Sequence, residues 1–431
     1  MVNLAADKQK YVIDLLFNTT IGAGFSILRN GIGSSQNSNN DWMNSILPTS
    51  PGSPNAAPNY VWDGKDSGQL FISQQAVKYG VKTIYADAWS APGFMKTNNN
   101  DANGGYLCGL KGHSCSSGDW RQAFANYLVQ YVKFYAEAGV PITHIGHLNE
   151  PDLRQVLNIW SLIAISNTLC STSYASMQSN GAEAGEFTSI LQTTLKANNL
   201  SVIVGCCEST GWSMTNQIVS QLKSSGTINS LGFITTHEYT SRISGPVNTN
   251  LKVWQTEYSD LNGGWSTAWY SNGGAGDGMT WANNIYNALT TGNCSAYLFW
   301  IGTQDRATNN NNNEKLILVD GQSVTVSKRL WAFAQFSRYV RPGAIRISST
   351  GSGNIKSTAF KNLDGSIVIQ VINSGTSAAS LSVKGVKGTA VSSWLTDNTH
   401  DMDPVTASIA ADGTVTGSVA ARALVSFVIT G

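Results

Sequence analysis

The stretch Ile142-Thr143-His144-Ile145-Gly146-His147-Leu148-Asn149-Glu150-Pro151 decides how the chain is read. It follows a helical pattern over 120–138 and reads as a short buried strand that ends on an acid. The same rhythm recurs on both sides. A helix over 67–79 leads to an apolar run over 82–89, one over 184–197 to 201–205, and one over 214–222 to 232–236. A run over 252–256 follows, and a helix over 280–289 leads to 296–300. Upstream, Tyr11, Val12, Leu15 and Leu16 at helical spacing precede an apolar run over 23–29. Helices alternating with short apolar strands indicate a parallel α/β sheet buried on both faces. A (β/α)8 TIM barrel needs eight strands, and the pattern supplies seven. The expected fold is therefore such a barrel with its first strand missing.

The character changes after Arg341-Pro342-Gly343. Residues 344–431 alternate apolar and polar positions, as in Ser366-Ile367-Val368-Ile369-Gln370-Val371-Ile372, with turn signals at Asn373-Ser374-Gly375 and Asp412-Gly413. This predicts a β-sandwich. The expected division is a catalytic barrel over 1–340 and a β-sandwich side domain over 341–431. The Asn run over 309–313 is expected to be an exposed loop.

Composition narrows the function. The 431 residues are 42 % apolar, enough for a sizeable core, but only 12 % charged. Lys plus Arg number 27 and Asp plus Glu 26, so no charge excess favours nucleic acid or an anionic membrane. No apolar run approaches a membrane span. Many Gly, Asn, Ser and Thr residues, with 13 Trp and 15 Tyr, suit a secreted protein that handles a neutral polar polymer, and a monomer is expected. The first residues carry no signal-peptide pattern. Sequons at Asn18, Asn199 and Asn293 fit a glycoprotein. Of the six cysteines, Cys108 and Cys115 flank a short Gly/Ser-rich loop and are expected to pair. No cysteine or histidine cluster has metal-binding spacing, and neither cofactor nor metal is expected.

Two acids carry the chemistry. Glu150 ends the run over 142–148, and Glu257 ends the run over 252–256. With a strand ahead of the first one, these are strands four and seven of a barrel. Their carboxyl groups would then converge across its mouth, the functional face. Paired carboxylates across a cleft are what glycoside hydrolysis requires. Asn149 could bond the sugar 2-hydroxyl. Tyr239 could hold Glu257 ionised. Trp89 and Trp300 could each form a platform for a sugar ring. Arg29 could bind substrate or pair with a local carboxylate, and His237 could orient its neighbours.

The chain resembles glycoside hydrolase family 30, and within it the fungal xylanase branch. The matching stretches are Ala23-Gly24-Phe25-Ser26-Ile27-Leu28-Arg29-Asn30-Gly31-Ile32-Gly33, Ala88-Trp89-Ser90-Ala91-Pro92-Gly93-Phe94-Met95-Lys96, Leu148-Asn149-Glu150-Pro151-Asp152, Trp254-Gln255-Thr256-Glu257-Tyr258-Ser259 and Phe336-Ser337-Arg338-Tyr339-Val340-Arg341-Pro342-Gly343. The resemblance implies a barrel beside a β-sandwich and retaining hydrolysis of xylan or glucuronoxylan. It also implies Glu150 as acid/base and Glu257 as nucleophile. Related branches cleave β-1,6-glucans, β-1,6-galactans or glucosylceramide, and an inert carbohydrate-binding protein is the rival of a different class. The chain departs from the family in two places. It lacks the family's opening strand, and residues 154–171 read as an insertion.

Overall fold

The computed structural model describes residues 1–35, 43–153, 174–307 and 311–431. The expected insertion, with Cys170, lies outside the described residues. The chain divides into two compact units. One holds residues 27–258 and 291–298, and the other holds 1–26, 259–290 and 299–431.

The first unit is built on seven parallel strands in sequence order: β1 (Ile27–Ile32), β2 (Thr83–Ala88), β3 (His144–Gly146), β4 (Ile203–Ser209), β5 (Phe233–His237), β6 (Lys252–Glu257) and β7 (Ala296–Tyr297). Strand β5 is buried throughout, and β2, β4 and β6 throughout but for their first residues, as strands covered on both faces must be. The crossover helix Arg121–Glu137 buries Phe124, Leu128, Tyr131 and Tyr135, a stripe at helical spacing. Helix Gly181–Ala197 opens with a capping box. The Asn180 side chain accepts from the N–H groups of Ala182 and Glu183, and Glu183 accepts from the Asn180 N–H. Tyr85, Phe233, Trp254 and Ala296 fill the sheet's inner face, with the Phe233 and Trp254 rings 4.5 Å apart.

Two irregularities re-aim side chains at the C-terminal strand ends. Between β5 and β6 the register slips, so that His237 stands opposite Glu257. Between β4 and β5 it slips again between Cys206 and Ser209. An extra residue on one strand turns the side chains after it to the other face. Hence Thr256 and Glu257, though adjacent, both reach groups inside the sheet. Gly146 permits the close approach of β2: a Cβ there would meet Asp87 Oδ1 at 2.0 Å.

In the second unit, residues 345–430 form a six-stranded antiparallel sheet and a three-stranded one. Ile369, Val371, Val425 and Phe427 of the larger share a core with Val415 and Val419 of the smaller, so the predicted β-sandwich is present. The motif before it has a structural task. Arg338 Nε donates to the Gly22 carbonyl at 2.6 Å and Arg341 Nη1 to that of Gly24 at 2.7 Å. The expected exposed Asn loop is corrected in part. Asn312–Asn313 pairs antiparallel with Asp260–Gly264 and is buried. The Asn313 side chain donates to Asp260 and accepts from the Ser266 N–H, which makes a polar residue tolerable there.

Among the described residues, no helix is long and apolar enough to cross a membrane. Cys108 and Cys115 form the expected disulfide, with an S–S distance of 1.99 Å. Cys206 and Cys207 also pair, which the sequence reading missed.

Candidate active site

The ends of β1 to β6 bring four acids, one guanidinium and one imidazole together. Glu150 follows β3 and Glu257 ends β6. One carboxylate oxygen of each, with one nitrogen of His237, lie within 4.8 Å of one another. Both acids are nearly buried, with side-chain exposures of 11 % and 9 %.

Arg29, on β1, binds this cluster together. Its Nη1 lies 2.5 Å from Glu257 Oε2, and its Nη2 lies 2.9 Å from Asp87 Oδ2 and 2.8 Å from Asn149 Oδ1. Glu208 Oε2 stands 3.7 Å from the same Nη2. The guanidinium also lies 5.1 Å from the centre of the Trp89 ring. Of the two roles open to Arg29, pairing with local carboxylates is the one its geometry displays. Burial opposes its charge, but Glu208, Asp87 and Glu257 outweigh that and raise its pKa well above the usual value.

Glu257 and Glu150 each have a further donor in a tyrosine. The Tyr239 hydroxyl donates to Glu257 Oε1 at 3.2 Å. The Tyr174 hydroxyl donates to Glu150 Oε2 at 2.6 Å. His237 is fully buried and reaches Glu150 Oε1 with Nδ1 at 3.1 Å and Glu208 Oε2 with Nε2 at 2.8 Å. It therefore orients carboxylates and has no surface to offer a sugar. Burial disfavours its charge, but Glu257, Glu150 and Glu208 push its pKa up to about 10. Burial also pushes Glu150 up, but His237, Tyr174 and Arg29 outweigh it and hold Glu150 below its ordinary value. Glu208 is buried too, yet Arg29, His237 and Thr256 bring it down to about 2. Burial and the Glu208 charge raise Asp87 well above the carboxylate range.

Glu208, Asp87, Tyr85 and Tyr174 were not singled out from the sequence. The readable signal for Glu208 was an acid following the apolar run over 201–205. Trp89 is 7 % exposed, with its ring filling the space beside Gly31, where a Cβ would meet it at 2.0 Å. Trp300 is half-buried, lies past the end of β7 and belongs to the second unit. The Glu150, His237 and Glu257 ligand atoms are close enough for a cation. Both His237 nitrogens are already engaged, however, and the guanidinium on Glu257 occupies the place of positive charge, so the donor set does not suit a metal.

Two nearly buried carboxylates this close, one beside an arginine and a tyrosine and the other beside a histidine and a tyrosine, can supply a nucleophile and a proton donor to one bond. Comparison with known proteins identifies the family. Residues 67–162 match the Glycosyl hydrolase family 30 TIM-barrel domain, and residues 343–427 match the Glycosyl hydrolase family 30 beta sandwich domain. The catalytic domain of the GH30 xylanase C from Talaromyces cellulolyticus is 45 % identical, with a TM-score of 0.89 over 99 % of this chain and 93 % of that one. A glucuronoxylanase from Bacillus subtilis is 23 % identical over 78 % of this chain and 71 % of its own length. An endo-1,6-beta-D-glucanase from Aspergillus fumigatus is 26 % identical over 82 % of this chain and 72 % of its own. With both domain models matched and 45 % identity along almost the whole chain, the protein belongs to glycoside hydrolase family 30.

Proposed function

We propose that the protein is a secreted, monomeric retaining xylanase that cleaves β-1,4-xylosidic bonds of xylan or glucuronoxylan. The observation that carries the mechanism is the Glu150–Glu257 separation. Carboxylate oxygens within 4.8 Å leave room for direct attack, whereas inverting enzymes hold the groups roughly 6.5–9.5 Å apart to admit a water. Glu257 is the nucleophile: the donors Arg29 and Tyr239, one on each carboxylate oxygen, hold it aimed at the anomeric carbon. Glu150 is the acid/base, protonating the leaving oxygen and later deprotonating water. Asn149 gives its amide oxygen to Arg29, which turns the amide N–H groups to the 2-hydroxyl. Trp89 serves as an apolar sugar platform. The barrel residues over 1–340 carry the reaction and residues 341–431 form the side domain. The Cys108–Cys115 disulfide supports secretion, since such bonds persist in oxidising compartments.

Likeness to the Talaromyces xylanase favours xylan, while the Aspergillus relative makes β-1,6-glucan the competitor to test. Reducing-sugar release from xylan, glucuronoxylan and β-1,6-glucan decides between them. Release from the xylans is expected. Release from β-1,6-glucan alone would overturn the xylan assignment, and release from none would return the inert binding protein as the better reading.

A further inference from the structure

His237 has a carboxylate on each ring nitrogen, Glu150 on Nδ1 and Glu208 on Nε2. A neutral imidazole has one N–H and can donate to only one of them. The arrangement therefore holds one proton more than a neutral ring supplies. Its location follows from what surrounds Glu208. That carboxylate accepts from the hydroxyls of Tyr85, at 2.5 Å, and Thr256, and it stands beside the Arg29 guanidinium. Asp87 of β2 faces the same cluster, bonded to Arg29 and Tyr85. Surrounded by donors, Glu208 stays an acceptor, and the Nε2 proton stays on the ring. The additional proton then lies on the line between Nδ1 and Glu150 Oε1. The other groups near the ring are Glu257, with Oε2 at 3.9 Å from Nε2, and the Tyr239 ring, its centre 5.9 Å away.

We propose that Glu208 is a positioning residue that fixes His237 as the proton store for Glu150. This rests on Glu150 being the acid/base. It resolves a conflict within the site: Glu150 is held ionised by its neighbours, yet an acid must carry a proton. In the first half-reaction, the Nδ1 proton passes to Glu150 and on to the leaving oxygen. The bond from that oxygen to the anomeric carbon breaks with its electron pair going to oxygen. Glu257 forms the new bond to carbon, and His237 is left neutral with its proton on Nε2. In the second half-reaction, water adds to the anomeric carbon and the ester pair returns to Glu257. The water's proton passes through Glu150 to Nδ1. One water is consumed and the imidazolium is restored.

The test combines NMR of the full chain carrying 15N-labelled histidine with kinetics of wild type and Glu208→Gln. In the wild type, His237 is expected to hold protons on both nitrogens at pH 8. In Glu208→Gln, it is expected to titrate roughly 1–3 pH units lower, because a neighbouring opposite charge has been removed. The kinetics use whichever polysaccharide the wild type cleaves, together with the matching dinitrophenyl glycoside. A wild type inactive on xylan thus counts against the xylan reading, and the proton store is still judged on the other pair. Glu208→Gln should lower kcat on the polysaccharide about 100-fold while changing the dinitrophenyl glycoside by less than about 3-fold, since that leaving group needs no proton. The alkaline limb of kcat should move to lower pH. A neutral His237 at pH 8 in the wild type overturns the proposal whether or not the variant folds. Equal loss on both substrates overturns it as well, because it would mark a purely structural role.

Discussion

The backbone N–H of Glu150 donates to the backbone carbonyl of Glu208 at 2.8 Å, and both residues hold left-handed backbone, with φ of 50° and 55°. For residues with a Cβ, such backbone costs on the order of 1–3 kcal/mol each and persists only where the surroundings impose it. Here the two strained residues lock each other. Their side chains also meet the same histidine from opposite sides. The two left-handed residues and the histidine between their side chains therefore occupy one small part of the molecule.

Arg29 is the electrostatic centre of that region. Replacing it by Met would leave Glu257 and Asp87 buried without their common partner. Arg29→Met should cost about 3–5 kcal/mol of stability, the usual consequence of breaking a buried pair from one side. Urea unfolding measures this. A loss below about 1 kcal/mol would mean that the pairs behave like exposed ones.

Asp66 predicts a pH dependence away from the site. It is buried under the hydroxyls of Tyr131, at 2.7 Å, and Tyr135, at 2.5 Å. Burial outweighs those bonds and raises its pKa from 3.8 to about 6. The folded state therefore binds this proton more tightly than the unfolded state. The stabilisation it gives is full below the unfolded value and is lost as pH rises through about 6. Asn preserves an acceptor for both tyrosines and tolerates the left-handed backbone at this position, φ 46°. Unfolding of wild type and Asp66→Asn at pH 4 and pH 7 should show the variant gaining on the wild type by roughly 2–3 kcal/mol at the higher pH. A pH-independent difference would contradict the assignment.

Tyr174 bears on the proposed acid. Its hydroxyl bond lowers the pKa of Glu150, so Tyr174→Phe should raise the proton affinity of the Glu150–His237 pair. The alkaline limb of kcat/KM should move to higher pH, opposite to the shift expected for Glu208→Gln. A pH profile that keeps its limb would show that Tyr174 only packs.

How much of this was legible in the chain depends on range. Glu150 and Glu257 stood out because each terminates an apolar run, and strand ends are local features. The sandwich was legible for the same reason, from the period-two alternation around Ile367 to Ile372. Glu208 was hidden because the run over 201–205 reads as ending before Cys206. Strand β4 in fact continues through Cys206 and Cys207 with a register slip, and composition does not mark a bulge. The partners of Arg29 lie 58 to 228 positions away, so the choice between substrate and carboxylate needed three dimensions. Asn312 and Asn313 looked like loop residues because their polarity is satisfied by Asp260–Gly264 and Ser266, which are remote in sequence.

Under the proposed mechanism Glu150 and Glu257 divide the labour. The anomeric configuration of the glycosyl azide formed when azide rescues each alanine variant on an activated β-xyloside reports that division. With Glu150→Ala, azide replaces the water that the lost base would activate, and the β-azide is expected. With Glu257→Ala, azide fills the vacated nucleophile position and attacks once, and the α-azide is expected. The opposite pair of products would require the two roles to be exchanged.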